Sequence, residues 1–236
     1  MPEALWYGQE CDYFVLATNL LGPSLNDLFT YCYNDFSLKT ILLIADQAIR
    51  RLKHIHSKDL LHRDLKPDNM LMGTGKQGST LYLIDFGLSK DVSGADLTLP
   101  QDTSYCGGST EFASINYHEK LQQSRKDDLE SLSYTLRYFL DGGHLPWSPP
   151  HTPVVDVDSG EVAKDAKKRM GGKELFEGYP DAFAQYHDYV RSLRFNEKPN
   201  YDRLLRIFKS LFISRGYKYD HVFDWTERMF RGEDED

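Results

Sequence analysis

His62-Arg63-Asp64-Leu65-Lys66-Pro67-Asp68-Asn69 and, further along, Asp85-Phe86-Gly87 are the stretches whose reading decides the fold. Two carboxylates, a cation and an amide stand at short fixed spacing, and Asp85 closes an apolar, β-rich run from Thr80 to Ile84. Asp64 is suited to accept a hydroxyl proton. Lys66 can place a cation beside an anionic group, while Asn69 and Asp85 offer the oxygen donors that Mg2+ prefers. His62, Arg63, Phe86 and Gly87 read as supports of the loop rather than as reacting groups. Asp and Asn are also ordinary turn residues, so any one of these positions alone would carry no meaning; the combination does.

Outward from these stretches, the chain alternates short strands and amphipathic helices. Leu5 to Gly8 and Tyr13 to Thr18 read as a two-stranded hairpin. Gly22-Pro23-Ser24 ends it and starts a helix from Leu25 to Tyr33, with Ser24 as N-cap. From Ser37, apolar residues from Leu38 to Ile55 recur at three- and four-residue steps, which predicts a long helix ending near His56-Ser57-Lys58. Leu60 to Met72 reads as a loop with strand pieces, and Asp91 to Ser109 as a long loop. Further helices are expected over Arg125 to Leu140, Val162 to Phe176, Asp181 to Leu193 and Tyr201 to Arg215, with an irregular acidic stretch from Pro146 to Gly160. The charged end, residues 231–236, is expected to be a disordered tail.

The 236 residues carry a formal charge of -8, a balance that argues against nonspecific nucleic-acid binding. Cys11, Cys32 and Cys106 are odd in number and lack C-x-x-C spacing, which points to reduced thiols. No apolar stretch approaches membrane-spanning length and the first residues do not read as a signal peptide. A monomeric protein of the cytoplasm, the nucleus or both is the expectation, with no membrane or nucleic-acid partner.

Two features invite other readings. Gly73-Thr74-Gly75-Lys76-Gln77-Gly78 matches G-x-G-x-x-G by letter, but a β-rich run rather than a helix follows it, so a hairpin turn is expected. His54, His56 and His62 suggest a metal only superficially. Residues two apart on a helix face different ways, and a cation near the helix C-terminus is the expected role.

The H-R-D-L-x-x-x-N and D-F-G stretches match the protein-kinase pattern without a mismatch. With Leu20-Leu21-Gly22-Pro23-Ser24-Leu25, Ile55-His56-Ser57-Lys58, Ala113-Ser114-Ile115-Asn116, Gln123 to Leu132, Leu145-Pro146-Trp147, Gly178-Tyr179-Pro180 and Arg191 to Phe195, the chain resembles the casein kinase I family of serine/threonine kinases over nearly its whole length. The resemblance implies an α+β, protein-kinase-like fold: mostly the helical C-lobe with a remnant β-hairpin of the N-lobe. It divides the chain into 1–19 as remnant strands, 20–22 as hinge and 23–230 as C-lobe. It implies transfer of the ATP γ-phosphate to protein Ser/Thr hydroxyls with Mg2+, Asp64 and Lys66 being catalytic and Asn69 and Asp85 holding the metal. It further implies that the Asn19 carbonyl and Leu21 amide face adenine with Thr18 as gatekeeper, and that Asp127 anchors the catalytic loop from below.

The departures from that family are equally specific. Before His62 the chain has no phosphate-covering glycine loop and no V-A-I-K lysine, so a truncated kinase domain is expected; the alternative is a noncatalytic, pseudokinase-like binding module. The hairpin should then show an open sheet edge and an uncovered apolar face. Glu111, in Gly108-Ser109-Thr110-Glu111-Phe112, stands where the family carries Arg, and Asp156, Asp158 and Glu161 replace a basic loop. Arg63 and Lys90 remain as a reduced basic pair. Phosphorylated substrates, which the family favours, should be repelled rather than bound.

Overall fold

Periodicity and capping set most of the helices where the sequence puts them. A computed structural model describes residues 1–93, 110–148 and 159–232. Most of the Asp91 to Ser109 loop, Cys106, Gly108, Ser109, Asp156, Asp158 and the last four tail residues lie outside the described residues.

Strands β1 (Ala4–Glu10) and β2 (Tyr13–Thr18) form the expected antiparallel hairpin, Gly8 facing Val15. Its apolar side chains, among them Leu5, Tyr7, Phe14 and Leu16, are exposed, with Tyr7 and Phe14 stacked 6.3 Å apart across the strands. Helix α1 (Leu25–Tyr31) begins with a reciprocal cap: Ser24 Oγ accepts from Asp27 N, and Asp27 Oδ2 accepts from Ser24 N. It stops two residues before the expected end because Tyr33 and Asn34 take positive φ. Helix α2 (Leu38–His56) is capped by Ser37, and of its predicted stripe Leu38 is half-buried while Ile41, Leu42, Ala45, Ala48, Ile49, Leu52 and Ile55 are buried.

After β3 (Leu60–Leu61), strands β4 (Met70–Met72) and β5 (Leu81–Leu83) pair as a second hairpin, and β6 (Lys90–Asp91) returns to β3. The glycine-rich stretch from Gly73 to Gly78 is the turn between β4 and β5, as expected, with Gly75 at φ +54. Gly22 lies against this turn so closely that a Cβ there would meet the Gly73 carbonyl at 2.8 Å.

Two short helices were not foreseen by periodicity, α3 (Ile115–His118) and α9 (Asp224–Arg231). Helix α4 (Arg125–Leu140) has the expected bounds but is buried on nearly every side from Asp127 to Leu136. The single helix expected over Val162 to Phe176 is two, α5 (Ser159–Arg169) and α6 (Gly172–Leu175). The break falls at Gly171-Gly172, where the Gly172 N–H donates to Asp188 Oδ1 at 2.7 Å and a Cβ would lie 2.5 Å from the Ala184 carbonyl. Helices α7 (Asp181–Ser192) and α8 (Tyr201–Ser214) complete the lobe, with α2 packed between α4 and α8. Helix α9 carries the chain through Arg231, one residue into the stretch expected to be a tail. Among the described residues no helix is long and apolar enough to cross a membrane.

Candidate active site

The loop from His62 to Asn69 joins β3 to β4, and the β4–β5 register decides what lies beside it. Met70 pairs with Leu83. One step further out, the Ile84 N–H donates to the Asn69 carbonyl at 3.1 Å, and His62 Nε2 donates to the Ile84 carbonyl at 2.9 Å. Ile84 is thus clamped between Asn69 and His62, and Asp85, the next residue, leaves the strand beside both.

Within the loop, Asn69 Nδ2 donates to the carbonyl and to Oδ2 of Asp64, each at 2.9 Å, while Lys66 Nζ lies 3.0 Å from the same Oδ2. Asp64 is nearly buried, so its carboxylate is held in one orientation. Asp64, Lys66 and Asn69 therefore meet directly. Asp85 is exposed, in a left-handed conformation (φ 60, ψ 72), with Oδ1 accepting from Gly87 N at 3.2 Å. The imidazole of His62 is fully buried, tilted against the Phe86 ring at 4.9 Å. With Nε2 donating, its Nδ1 accepts from Asp64 N at 3.3 Å, the neutral tautomer. Burial lowers its pKa despite the opposing charges of Asp128, Asp64 and Asp85. Arg63 Nε donates to the Leu88 carbonyl at 2.6 Å, tying the loop to the residue after Asp85-Phe86-Gly87.

The anchor beneath this loop is Asp128, not Asp127. Asp128 Oδ2 accepts from His62 N and Oδ1 from Arg63 N, both at 2.8 Å, and Oδ2 also accepts from His56 Nε2 at 2.7 Å. Asp127, turned about 100° away by the helix, caps its own helix by accepting from Ser124 N at 2.7 Å. His56, in the last turn of α2 where a cation was expected, is buried against the Asp128 carboxylate, its Nδ1 2.5 Å from Tyr201 Oη. Burial works to raise the Asp128 pKa, but the hydrogen bond and charge of His56, with the His62 contacts, hold it below the usual range.

Asp127 behaves oppositely. Burial first, then the neighbouring Glu130 carboxylate, push it up to about 7. Its proton is held to higher pH in the folded than in the unfolded chain, so stability falls as pH rises from roughly 4 towards 7. Asp127→Asn, whose amide oxygen can still accept from Ser124 N, should flatten this fall and leave the variant on the order of 2 kcal/mol more stable than the parent at pH 8. Urea denaturation at pH 5 and pH 8 reads the difference; a gap that does not widen with pH refutes it.

The three residues expected near adenine lie where β2 runs out. Thr18 ends β2, Asn19 N donates to the Glu3 carbonyl at 3.3 Å, and Thr18 Oγ1 lies 3.3 Å from the Asn19 carbonyl. Leu21 precedes Gly22, whose N–H donates to the Met72 carbonyl at 2.8 Å, while Met72 N donates to the Pro23 carbonyl. The segment is therefore pinned to the end of β4, and Thr18, Asn19 and Leu21 share no hydrogen bond with the Asp64 loop among the described residues.

The donors present fit a hard cation shared with a phosphate. Asn69 spends its NH2 group on Asp64, which leaves its oxygen as the atom that could coordinate a cation, and Asp85 could add a carboxylate. Among the described residues no three His, Cys, Asp or Glu side chains form a metal cage. Mg2+ is commonly held by one or two carboxylates plus substrate phosphates. The residues missed by sequence reasoning are Asp128 and Tyr201; the adjacent carboxylates Asp127-Asp128 were the available signal, but nothing in the sequence says which of them faces the loop.

Comparison with protein families adds one finding: the model described as protein kinase domain matches residues 6–153.

Proposed function

Because the chain belongs to the protein kinase domain family, with an α+β fold in which a hairpin stands for a reduced N-lobe, we propose that it transfers the γ-phosphate of ATP to Ser/Thr hydroxyls of proteins, as a casein kinase I-like enzyme. The observation that carries this reading is the Asp64, Lys66 and Asn69 cluster with Asp85 delivered beside Asn69 by Ile84.

In this reading Asp64 accepts the substrate hydroxyl proton, its carboxylate aimed by Asn69 and by the loop that Asp128 holds. Lys66 places positive charge beside the transferred phosphate. Asn69 and Asp85 hold Mg2+, which when bound neutralises charge on the phosphates. Thr18, Asn19 and Leu21 line the adenine side, the Leu21 N–H having no protein acceptor among the described residues. Residues 1–19 form the remnant strands, 20–22 the hinge and 23–230 the C-lobe.

Support for the casein kinase I-like assignment is that two of the stretches carrying the resemblance meet: Ser114 caps α3, and the Ile115 N–H donates to Glu130 Oε1 at 3.2 Å. The exposed apolar residues of the β1–β2 hairpin favour the second reading, a noncatalytic module that binds protein partners. Purified chain with Mg·ATP and a mixed Ser/Thr peptide pool separates the two. Phosphate incorporation that disappears in Asp64→Asn supports transfer; incorporation absent from the parent, with no nucleotide-dependent rise in Tm, supports the module.

A further inference from the structure

Lys167, on α5, is 1% exposed. Its ammonium donates to the Thr110 carbonyl at 2.9 Å, the Ala113 carbonyl at 2.8 Å and His118 Nε2 at 3.0 Å. It lies 4.9 Å from the ring centres of both Tyr134 and Trp147, an aromatic cage completed by the edge-to-face contact of those rings. Among the described residues no carboxylate comes within ion-pair distance of it. The charged and titratable groups around it are Glu130 of α4, Glu111, His118 of α3 and Arg191 of α7, which donates to the Lys167 carbonyl at 3.1 Å. Burial pushes its pKa down to about 7 against the pull of Glu130 and Glu111.

A buried cation without a carboxylate partner is costly, and filling the space does not require one. What the ammonium does that an apolar side chain could not is satisfy three acceptors at once. Two of them are main-chain carbonyls of the segment between Thr110 and Ala113. The intervening Glu111 carbonyl is taken by Trp147 Nε1 at 2.9 Å, and the Glu111 carboxylate accepts from Ser148 Oγ at 2.5 Å. The negative charge that the sequence placed against phosphorylated substrates is therefore tied to Ser148. Three carbonyls of this segment are held from the α5 and Trp147 side, while the N–H groups of Glu111, Phe112 and Ala113 have no acceptor among the described residues.

We propose that Lys167 is a positioning residue for the protein substrate: by fixing the Thr110 and Ala113 carbonyls it holds the end of the activation segment so that the N–H groups of residues 111–113 meet main-chain carbonyls of an extended Ser/Thr peptide. This rests on the kinase reading, since residues 113–116 stand at the A-P-E position that closes the segment opened by Asp85-Phe86-Gly87, and ordering of that segment governs whether kinases work.

The test is Lys167→Met, which keeps most of the volume and lacks every donor. At saturating Mg·ATP its KM for a peptide substrate should rise at least tenfold with KM for ATP unchanged, and the hydrogen-bonded amides within 115–118 should lose hydrogen-exchange protection while those of α2 keep it. Peptide KM within twofold of the parent together with parental protection at 115–118 overturns the proposal. So does an equal loss of protection in α2 and α4, which marks a purely global role. Should the methionine variant not fold, Lys167→Gln, which keeps one donor group on a shorter arm, is read against the same outcomes. If the parent transfers no phosphate, the kinase reading fails separately, and hydrogen exchange alone decides whether Lys167 holds the segment.

Discussion

Asp128→Ala is expected to lower the folding free energy by about 3–5 kcal/mol, the range for removing one partner from a buried charged network. The deletion strands three donors: His62 N, Arg63 N and His56 Nε2 all end on this carboxylate. Each buried donor left unpaired carries a desolvation penalty of about 1–3 kcal/mol. Arg63 also holds a left-handed φ of 68, a conformation that for a non-glycine residue persists only where surrounding contacts enforce it. Asp127→Ala provides the contrast. It removes a helix cap, worth about 1 kcal/mol, and also removes a carboxyl that burial disfavours in its charged form. Guanidinium denaturation at pH 7 should therefore rank Asp128→Ala far below Asp127→Ala, and equal losses would return the anchoring role to Asp127. Because the folded pKa of Asp128 is depressed, its contribution is present above the unfolded value near 4 and is lost as pH falls through the folded value. The gap between parent and Asp128→Ala should accordingly narrow in acid.

How much of this was legible in the sequence depends on whether the signal was local. The α2 stripe and the Ser24 cap are local, and both stood where spacing put them. The second hairpin was equally legible, since glycines between two apolar runs leave few other conformations. Helix α4 was legible as a helix but not in its orientation. With polar and apolar residues alike buried from Asp127 to Leu136, there is no exposed face by which periodicity could separate Asp127 from Asp128. Lys167 was hidden for a related reason. It stands among Lys164 and Lys168, which pair with Glu161 and Glu119, and only the packing of α5 against the 110–118 segment distinguishes it. Helix α9 was assigned to no element, yet Asp224 accepts from Ser37 N at 2.6 Å and Trp225 packs on Phe36 at 5.4 Å. Tertiary contacts, absent from any window of sequence, make that helix.

Asp64→Asn should reduce phosphate transfer by about 10^2–10^4-fold, the usual contribution of a positioned general base, while leaving the thermal unfolding midpoint close to that of the parent. The two side chains have the same shape, and the asparagine oxygen can still accept from Asn69 Nδ2 and Lys66 Nζ, so the loop has every reason to keep its course. What is lost is the capacity to take a proton and the negative charge that fixes Lys66. The loss should appear in kcat, with KM for ATP nearly unchanged, because Asp64 is assigned to the hydroxyl and not to the nucleotide. Lys66→Met supplies the complementary result: it leaves the base intact and removes the cation, so its defect should also appear in kcat, with the Asp64 carboxylate still in place. A drop in the Tm of Asp64→Asn as large as that of Asp128→Ala would mean that the carboxylate at position 64 serves the loop's structure rather than accepting the proton, and the other acidic side chain of the His62 to Asn69 loop, Asp68, is exposed and would be the next candidate for that role.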